Sequence, residues 1–223
     1  MPLKAVVFDL DGTLIDSKVN YEKIASSVRE LLTGEGISVE QLNDRRKVYS
    51  VVQAGEKALT EFGISPDRMP RLLKLVEKAM NEVELEGIPL SKPMQNLHKT
   101  LFELRDRHIG IGIATRGCHE YAVKSMELVR ITAMVDHMIA RDDVPYPKPD
   151  PRHLLDVIHK FGAKKDEVFY VGDTPTDYLT ADAAKVIFIG YKRDEEWGKR
   201  LTEAGCTRLV DNLIDLVQIA DNF

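Results

Sequence analysis

Two aspartates follow the first apolar segment of the chain, at a spacing that suits metal binding or proton transfer. Val6-Val7-Phe8 precedes Asp9, and Asp11 stands two positions later, directly before Gly12. Residues i and i+2 of an extended chain point to the same side, and glycine allows the tight turn that follows. Carboxylates so close repel each other unless a cation or a shared proton joins them. This Asp-x-Asp-Gly-Thr sequence therefore predicts a site for Mg²⁺, which prefers hard oxygen ligands.

Further polar residues follow later apolar segments. Thr115 and Asp173 come at the ends of short apolar runs, Lys148 lies in a polar, proline-rich loop just beyond another, and Asp177 follows Asp173 by four positions. Ligands of parallel α/β sheets collect at the carboxyl ends of the strands. We therefore expect these four residues and the first two aspartates to meet at one edge of a sheet.

Such a cluster has the composition of a site for a metal and a phosphate. Asp9, the backbone carbonyl of Asp11 and Asp173 are sufficient protein ligands for Mg²⁺, which keeps water and substrate oxygens as well, and Asp177 is a further or outer ligand. Lys148 supplies the positive charge that neutralises the carboxylates and the phosphoryl oxygens during transfer.

The same residues allow a covalent route for phosphoryl transfer. Asp9 would attack phosphorus and form an aspartyl-phosphate, while Asp11 would protonate the leaving oxygen and later activate water. Thr115 offers a hydroxyl, and the amides of Arg116 and Gly117 at a helix start form an anion cradle.

An α/β fold has to position these groups. From residue 88 onward, uncharged apolar runs alternate with helical patterns, which predicts a Rossmann-like parallel sheet with helices on both faces and right-handed crossovers. Residues 17–87 show helical patterns only and are inserted after the first strand, so we expect residues 1–16 and 88–223 to form the core and 17–87 a small all-helical domain beside the strand ends. Asp16 is expected to cap the first inserted helix. The helices of the insertion are predicted at 19–32, 42–52, 56–62 and 66–85.

Composition excludes several classes of function. The chain has 223 residues, 43% of them hydrophobic, and a formal charge of −5, so no basic excess favours nucleic acid. It contains no apolar segment of the roughly 20 residues that span a bilayer and no apolar signal region. Two cysteines without metal-binding spacing indicate a reducing compartment. We therefore expect a cytoplasmic protein, monomeric or homodimeric, that acts on a small molecule without nucleic acid or membrane as a partner.

Four ordered motifs resemble those of the haloacid dehalogenase-like phosphohydrolase superfamily, and together they span the chain. They are Phe8-Asp9-Leu10-Asp11-Gly12-Thr13-Leu14, Thr115, Lys148-Pro149 and Gly172-Asp173-Thr174-Pro175-Thr176-Asp177. The helical insertion after the first motif is similar to that of the small-cap subfamily, which includes phosphoglycolate phosphatases and β-phosphoglucomutases.

The resemblance implies a phosphoric monoester hydrolase with an α/β core, a helical cap and Mg²⁺. It makes Asp9 the nucleophile and Asp11 the general acid/base, with phosphate binders at Thr115 and Lys148 and the metal site at Asp173 and Asp177. Supporting positions within the motifs are Gly12, Thr13, Gly172 and Thr174. Dehalogenases of the superfamily generally lack the second acid, so its presence favours phosphate esters over carbon–halogen bonds. Arg116 departs from the small polar residue common in the family, and either reaches the substrate or lies on the surface.

Two alternatives remain open at this point. A phosphomutase of the β-phosphoglucomutase type would use the same aspartyl-phosphate and return the group to a sugar. A receiver-type signalling domain also carries paired acids, a Thr and a Lys at the carboxyl edge of a parallel sheet, although such a domain is much shorter and needs no inserted helices.

Overall fold

The chain separates into two compact units. The computed structural model of the protein describes residues 2–38, 42, 51 and 55–223. One unit comprises Met1–Ser17 with Leu90–Phe223, and the other comprises Lys18–Pro89. These limits differ by one or two residues from those expected for the core and the inserted helical domain.

The first unit contains a six-stranded parallel sheet. The strands of the unit are β1 Ala5–Phe8, β2 Ile15–Asp16, β3 Lys92–Pro93, β4 Gly110–Ala114, β5 His137–Ile139, β6 Val168–Gly172, β7 Ile187–Tyr191 and β8 Leu209–Val210. In the sheet they lie in the order β5-β4-β1-β6-β7-β8, and each neighbouring pair is parallel. A separate antiparallel pair joins β2 to β3. The predicted α/β class with a parallel sheet is confirmed.

Helices connect the strands as the alternating pattern predicts. Those of the first unit are α4 Leu97–Asp106, α5 His119–Leu128, α6 Pro151–Lys160, α7 Pro175–Ala184, α8 Glu195–Ala204 and α9 Asp215–Asp221. The second unit contains α1 Tyr21–Gly34, α2 Glu56–Glu61 and α3 Met69–Gly87. Among the described residues, no helix is long and apolar enough to span a bilayer.

The centre of the sheet is fully buried, which explains its uncharged sequence. All four residues of β1 have no exposed surface. On β4, a Cβ atom at Gly112 would lie 2.8 Å from Val157 Cγ1 and 2.9 Å from the Phe161 ring. Gly112 therefore lets α6 and the residue after it pack directly on the strand, because real Cβ atoms do not come so close to carbon. Burial of a large apolar side chain, such as Val or Phe, stabilises the folded state by about 1.5–3 kcal/mol.

The expectation that Asp16 caps the first inserted helix is wrong. Asp16 lies in β2 and pairs with Lys92 of β3. Helix α1 begins later, and its N-cap is Asn20, whose side chain accepts a hydrogen bond of 2.9 Å from the Lys23 amide. The two-residue strand pair accounts for the difference, because its backbone bonds keep Asp16 extended, and elements so short have no detectable periodicity.

The second unit has its own apolar core. Residues Ile24, Val28 and Leu32 of α1 are buried, as the helical spacing predicts, and they share a cluster with Leu72 and Val76 of α3. The predicted helix 42–52 falls largely outside the described residues, and of its members only Leu42 and Val51 are described, both buried.

Candidate active site

Three adjacent strands bring the predicted polar residues to one edge of the sheet. β1 lies between β4 and β6. Asp9, Thr115 and Asp173 each follow the last residue of one of these strands. The Asp9 amide continues the ladder by donating to Val171 O at 2.8 Å. The register pairs Phe8 with Ile113 and Val171, so Thr115 and Asp173 each lie one residue further along this edge than Asp9. The carboxyl ends of the three strands thus bring the residues to the same edge, which is why their positions in the sequence predict it.

Lys148 is the positive centre of the cluster. Its ammonium nitrogen lies 2.6 Å from Asp9 Oδ1 and 2.7 Å from Asp177 Oδ1. It also donates to the Tyr170 hydroxyl at 2.7 Å. The side chain is 1% exposed. An ammonium has three protons, and three protein oxygens surround it here, so Lys148 holds the carboxylates together.

Asp177 accepts hydrogen bonds at both of its carboxylate oxygens. Its Oδ1 accepts from the Tyr170 hydroxyl at 2.7 Å, and its Oδ2 accepts from the hydroxyl and the amide of Thr174 at 2.5 and 3.1 Å. Thr174 is also the N-cap of α7, so the capping box that starts this helix orients the carboxylate. Tyr170 was not predicted as a site residue, because it has the sequence pattern of a core residue of β6. The only signal is that a buried tyrosine hydroxyl needs a partner.

His153 fixes the backbone of Lys148 and was also missed. The ring is fully buried, and its Nδ1 accepts the Lys148 amide at 3.1 Å. Because an amide can only donate, Nε2 carries the proton and donates to Ile139 O at 3.1 Å. Burial, with the nearby charge of Lys148, lowers the pKa of His153 to about 4, which keeps the ring neutral. The position of His153 near the start of α6 gives no sign of this contact.

Asp173 is fully buried beside the first turn. Thr13 Oγ1 donates to its Oδ1 at 3.2 Å. Its Oδ2 has no hydrogen-bond partner among the described residues, although Arg193 Nη1 lies 3.2 Å away as an ion-pair partner. Gly12 has a φ of +82°, and a Cβ atom there would overlap the Asp173 carboxylate. Glycine is thus required for two reasons. Arg193 follows β7 and was not predicted as a site residue.

Charge is unevenly shared among these acids. Burial is the largest cause that raises the pKa of Asp9, to well above the ordinary carboxyl range; the charge of Lys148 lowers it, and the charges of the neighbouring acids raise it further. Burial and the neighbouring Asp177 likewise raise the pKa of Asp173 to about 7. For Asp177, burial is outweighed by the charge of Lys148 and by hydrogen bonds, so its pKa is below the usual value.

The donor set fits a divalent cation. Asp9, Asp173 and Asp177 each offer a carboxylate oxygen, and these oxygens lie within 4.8 Å of one another. Lys148 and Arg193 supply two positive charges for three buried carboxylates. The Oδ2 of Asp173 accepts no hydrogen bond from the described residues, and the pKa values of Asp9 and Asp173 are raised, which indicates that the site lacks positive charge. All three are hard oxygen donors of the kind that Mg²⁺ takes.

The other side of the edge is formed by the loop after β4. Thr115 is fully buried, and its Oγ1 accepts the Gly117 amide at 3.0 Å, so that amide is engaged within the loop. The half-buried Arg116 has its carbonyl bound by Arg141 Nη1 at 2.5 Å. The half-buried Asp11 accepts a hydrogen bond of 2.5 Å from the hydroxyl of Tyr121, a contact that sequence reasoning missed. Phosphate binding by Thr115, Arg116 and Gly117 stays a prediction.

The chain is similar to a known protein family and to curated relatives along almost its whole length. A family model described as haloacid dehalogenase-like hydrolase matches residues 6–191. Pyrophosphatase PpaX of Halalkalibacterium halodurans is 28% identical over 223 residues, which cover 98% of this chain and 99% of the relative. Phosphoglycolate phosphatase 1 of Pseudomonas aeruginosa is 25% identical and is matched over 98% of this chain and 80% of its own.

The fold is shared with solved structures. A hydrolase from Pseudomonas syringae superposes with a TM-score of 0.69 at 25% sequence identity, with 99% of each chain covered. The similarity extends over both compact units of the present chain, since almost no residue falls outside the match.

Proposed function

Because the chain belongs to the haloacid dehalogenase-like hydrolase family, we propose that it is a Mg²⁺-dependent phosphatase that hydrolyses a small phosphorylated metabolite through an aspartyl-phosphate. The observation that carries this proposal is the buried contact of 2.6 Å between Asp9 and Lys148, within a cluster of carboxylates at the carboxyl edge of the sheet.

In the proposed first step, a carboxylate oxygen of Asp9 forms a bond to phosphorus while the bond from phosphorus to the leaving oxygen breaks. Asp11 gives its proton to that leaving oxygen, so the alcohol departs neutral. Lys148 holds Asp9 in place, and its charge offsets part of the negative charge on the phosphoryl oxygens.

In the second step, water attacks the phosphorus of the aspartyl-phosphate. Asp11 takes a proton from this water, the bond between Asp9 and phosphorus breaks, and inorganic phosphate leaves. Asp9 and Asp11 thus return to their starting protonation states, and the net reaction consumes one water.

We assign the cation to Asp9, Asp173 and Asp177 with the backbone carbonyl of Asp11, and Thr13 and Thr174 support two of these acids. When bound, Mg²⁺ supplies positive charge that favours the ionised nucleophile and the developing charge of the transfer. We propose that the Thr115 hydroxyl and the Arg116 amide bind the non-reacting phosphoryl oxygens, and that the Gly117 amide holds the Thr115 hydroxyl in place for this contact.

The substrate is proposed to be a small, strongly anionic ester of the phosphoglycolate or sugar-phosphate kind. The name of one relative, a phosphoglycolate phosphatase, supports an ester of this class, and the name of the other, a pyrophosphatase, supports a small, strongly anionic substrate. We propose further that the unit Met1–Ser17 with Leu90–Phe223 is the catalytic core and that Lys18–Pro89 is the cap.

A panel of about a hundred phosphorylated metabolites, compared by kcat/KM, tests the function. We expect phosphate release from several small esters with Mg²⁺ and a loss of about a hundredfold or more after chelation by EDTA. Undiminished release in EDTA would contradict the metal requirement. Conversion of a sugar 1-phosphate to a 6-phosphate without phosphate release would instead identify a mutase.

A further inference from the structure

We propose that Tyr121 is a positioning residue for Asp11, and that proton transfer to the leaving group depends on it. The inference rests on the proposed function, in which Asp11 is the general acid and base. Nothing in the sequence motifs marks Tyr121, which follows Thr115 by six positions on the first turn of α5.

A hydrogen bond joins the rigid, buried side chain of Tyr121 to the half-buried side chain of Asp11. The Tyr121 side chain has no exposed surface, and its hydroxyl donates to Asp11 Oδ1 at 2.5 Å. Asp11 lies in the turn after β1 and is half-buried. A carboxylate in such a place can adopt several rotamers, whereas a buried tyrosine ring on a helix has little freedom. The hydrogen bond therefore restricts the Asp11 carboxylate to a rotamer in which Oδ1 contacts the fixed hydroxyl of Tyr121.

The phosphate-side loop is shaped around the same ring. A Cβ atom at Gly117 would lie 2.6 Å from Tyr121 Cδ1, a distance that real Cβ atoms do not show. Glycine at this position lets the loop that carries Thr115 pass against the tyrosine. The hydroxyl is thus placed by packing from the loop as well as by its own helix.

Position matters here because Asp11 has to meet the leaving oxygen in one step and water in the next. Proton transfer requires hydrogen-bond reach and alignment in the transition state. With Oδ1 held by Tyr121, we assign Oδ2 to carry the proton to the leaving oxygen and to take one back from water. Tyr121 keeps its own proton throughout, so no charge or atom passes through it.

Substitution Tyr121→Phe tests this role with two esters that differ in their need for a proton. Benzyl phosphate has an alcohol leaving group that has to be protonated, whereas p-nitrophenolate leaves without a proton. The ratio kcat/KM reports steps up to departure of the leaving group. We expect kcat/KM to fall about tenfold to a hundredfold for benzyl phosphate and less than about threefold for p-nitrophenyl phosphate.

The second step gives an independent readout. Hydrolysis of the aspartyl-phosphate also uses Asp11, so with p-nitrophenyl phosphate both kcat and KM should fall in the variant and phosphoenzyme should accumulate after acid quench. The matched control is Ser125→Ala, which removes from the same helix a buried hydroxyl that has no hydrogen-bond partner in the part of the chain that the structure describes. We expect Ser125→Ala to change kcat/KM by less than about twofold for each of the two esters.

The two hypotheses fail in different ways. A wild-type protein that hydrolyses neither ester with Mg²⁺ would overturn the proposed function and this inference together. If the wild-type protein is active and Tyr121→Phe lowers kcat/KM by the same factor for both esters, the inference alone is overturned. The ratio between esters does not depend on the fraction of folded protein, so partial unfolding of the variant leaves the test valid.

Discussion

Lys148 contacts two carboxylates whose pKa values are shifted in opposite directions. Its ammonium contacts Asp9 and Asp177 at nearly equal distances, yet the pKa of Asp9 is raised and that of Asp177 is lowered. The difference arises because Tyr170 and Thr174 donate further hydrogen bonds to Asp177. Asp9, which we propose as the nucleophile, relies on Lys148 for positive charge, so an added cation would favour its ionised form.

His153 should make the protein less stable in mild acid. Its pKa is about 4 in the folded protein and roughly 6.5 in an unfolded chain, so as pH falls through 6.5 the unfolded chain takes up a proton that the folded protein does not. Stability is therefore fully present above pH 6.5 and declines as the pH approaches 4. The shift corresponds to about 2 kcal/mol between pH 7 and pH 5.

Urea unfolding of wild type and His153→Gln at the two pH values measures this effect. Glutamine can accept the Lys148 amide and donate to the Ile139 carbonyl, so the contacts are kept while the titration is removed. We expect the wild type to lose about 2 kcal/mol more than the variant on going to pH 5. Equal losses in both proteins would show that the ring is protonated in the folded state.

The connection from β7 to α8 supplies a cation, Arg193, that is absent from the four sequence motifs. Arg193 lies 3.2 Å from Asp173 Oδ2 and also stacks on Trp197, with 4.4 Å between the guanidinium carbon and the ring centroid. Helix α8 begins just before Trp197 with Asp194 as its cap. The loop therefore holds a positive charge at the proposed metal site.

Removal of that charge should strengthen Mg²⁺ binding. We expect Arg193→Gln to lower the Mg²⁺ dissociation constant about tenfold, since a repulsive charge next to a ligand carboxylate is lost. Trp197 is the only tryptophan of the chain, so its fluorescence follows the titration directly. Arg200→Gln is the matched control, because Arg200 also stacks on Trp197, at 4.6 Å, but pairs with Glu196. Equal or weaker Mg²⁺ binding by Arg193→Gln would contradict the assignment.

For the whole molecule, the sequence was sufficient where local patterns decide the structure. The parallel sheet, the insertion after the first strand and the strand-end positions of Asp9, Thr115 and Asp173 follow from periodicity and order. Tyr170, His153 and Arg193 could not be found this way, because their roles depend on side chains meeting across distant segments. Asp16 was assigned wrongly because the strand pair that contains it has only two residues in each strand.

Metal binding should also be visible in the stability of the whole protein. A ligand that binds only the folded state at a hundredfold of its dissociation constant stabilises it by about 2.7 kcal/mol. For a chain of this size, Mg²⁺ should then raise the thermal midpoint by roughly 5–10 °C. The shift should be largely lost in Asp173→Asn. NaCl at matched ionic strength is the control, and an equal rise with NaCl would exclude specific binding.

Mass spectrometry of acid-quenched protein, after brief reaction with substrate and Mg²⁺, tests directly whether Asp9 takes the phosphoryl group. We predict one phosphoryl group on the peptide that contains Asp9 in the wild type. Asp9→Asn should show no such adduct and should release phosphate at least about a thousandfold more slowly. Asp182→Asn, at an exposed position of α7, should behave as wild type. An Asp9→Asn variant that keeps its activity, or an adduct on another residue, would show that Asp9 is not the nucleophile.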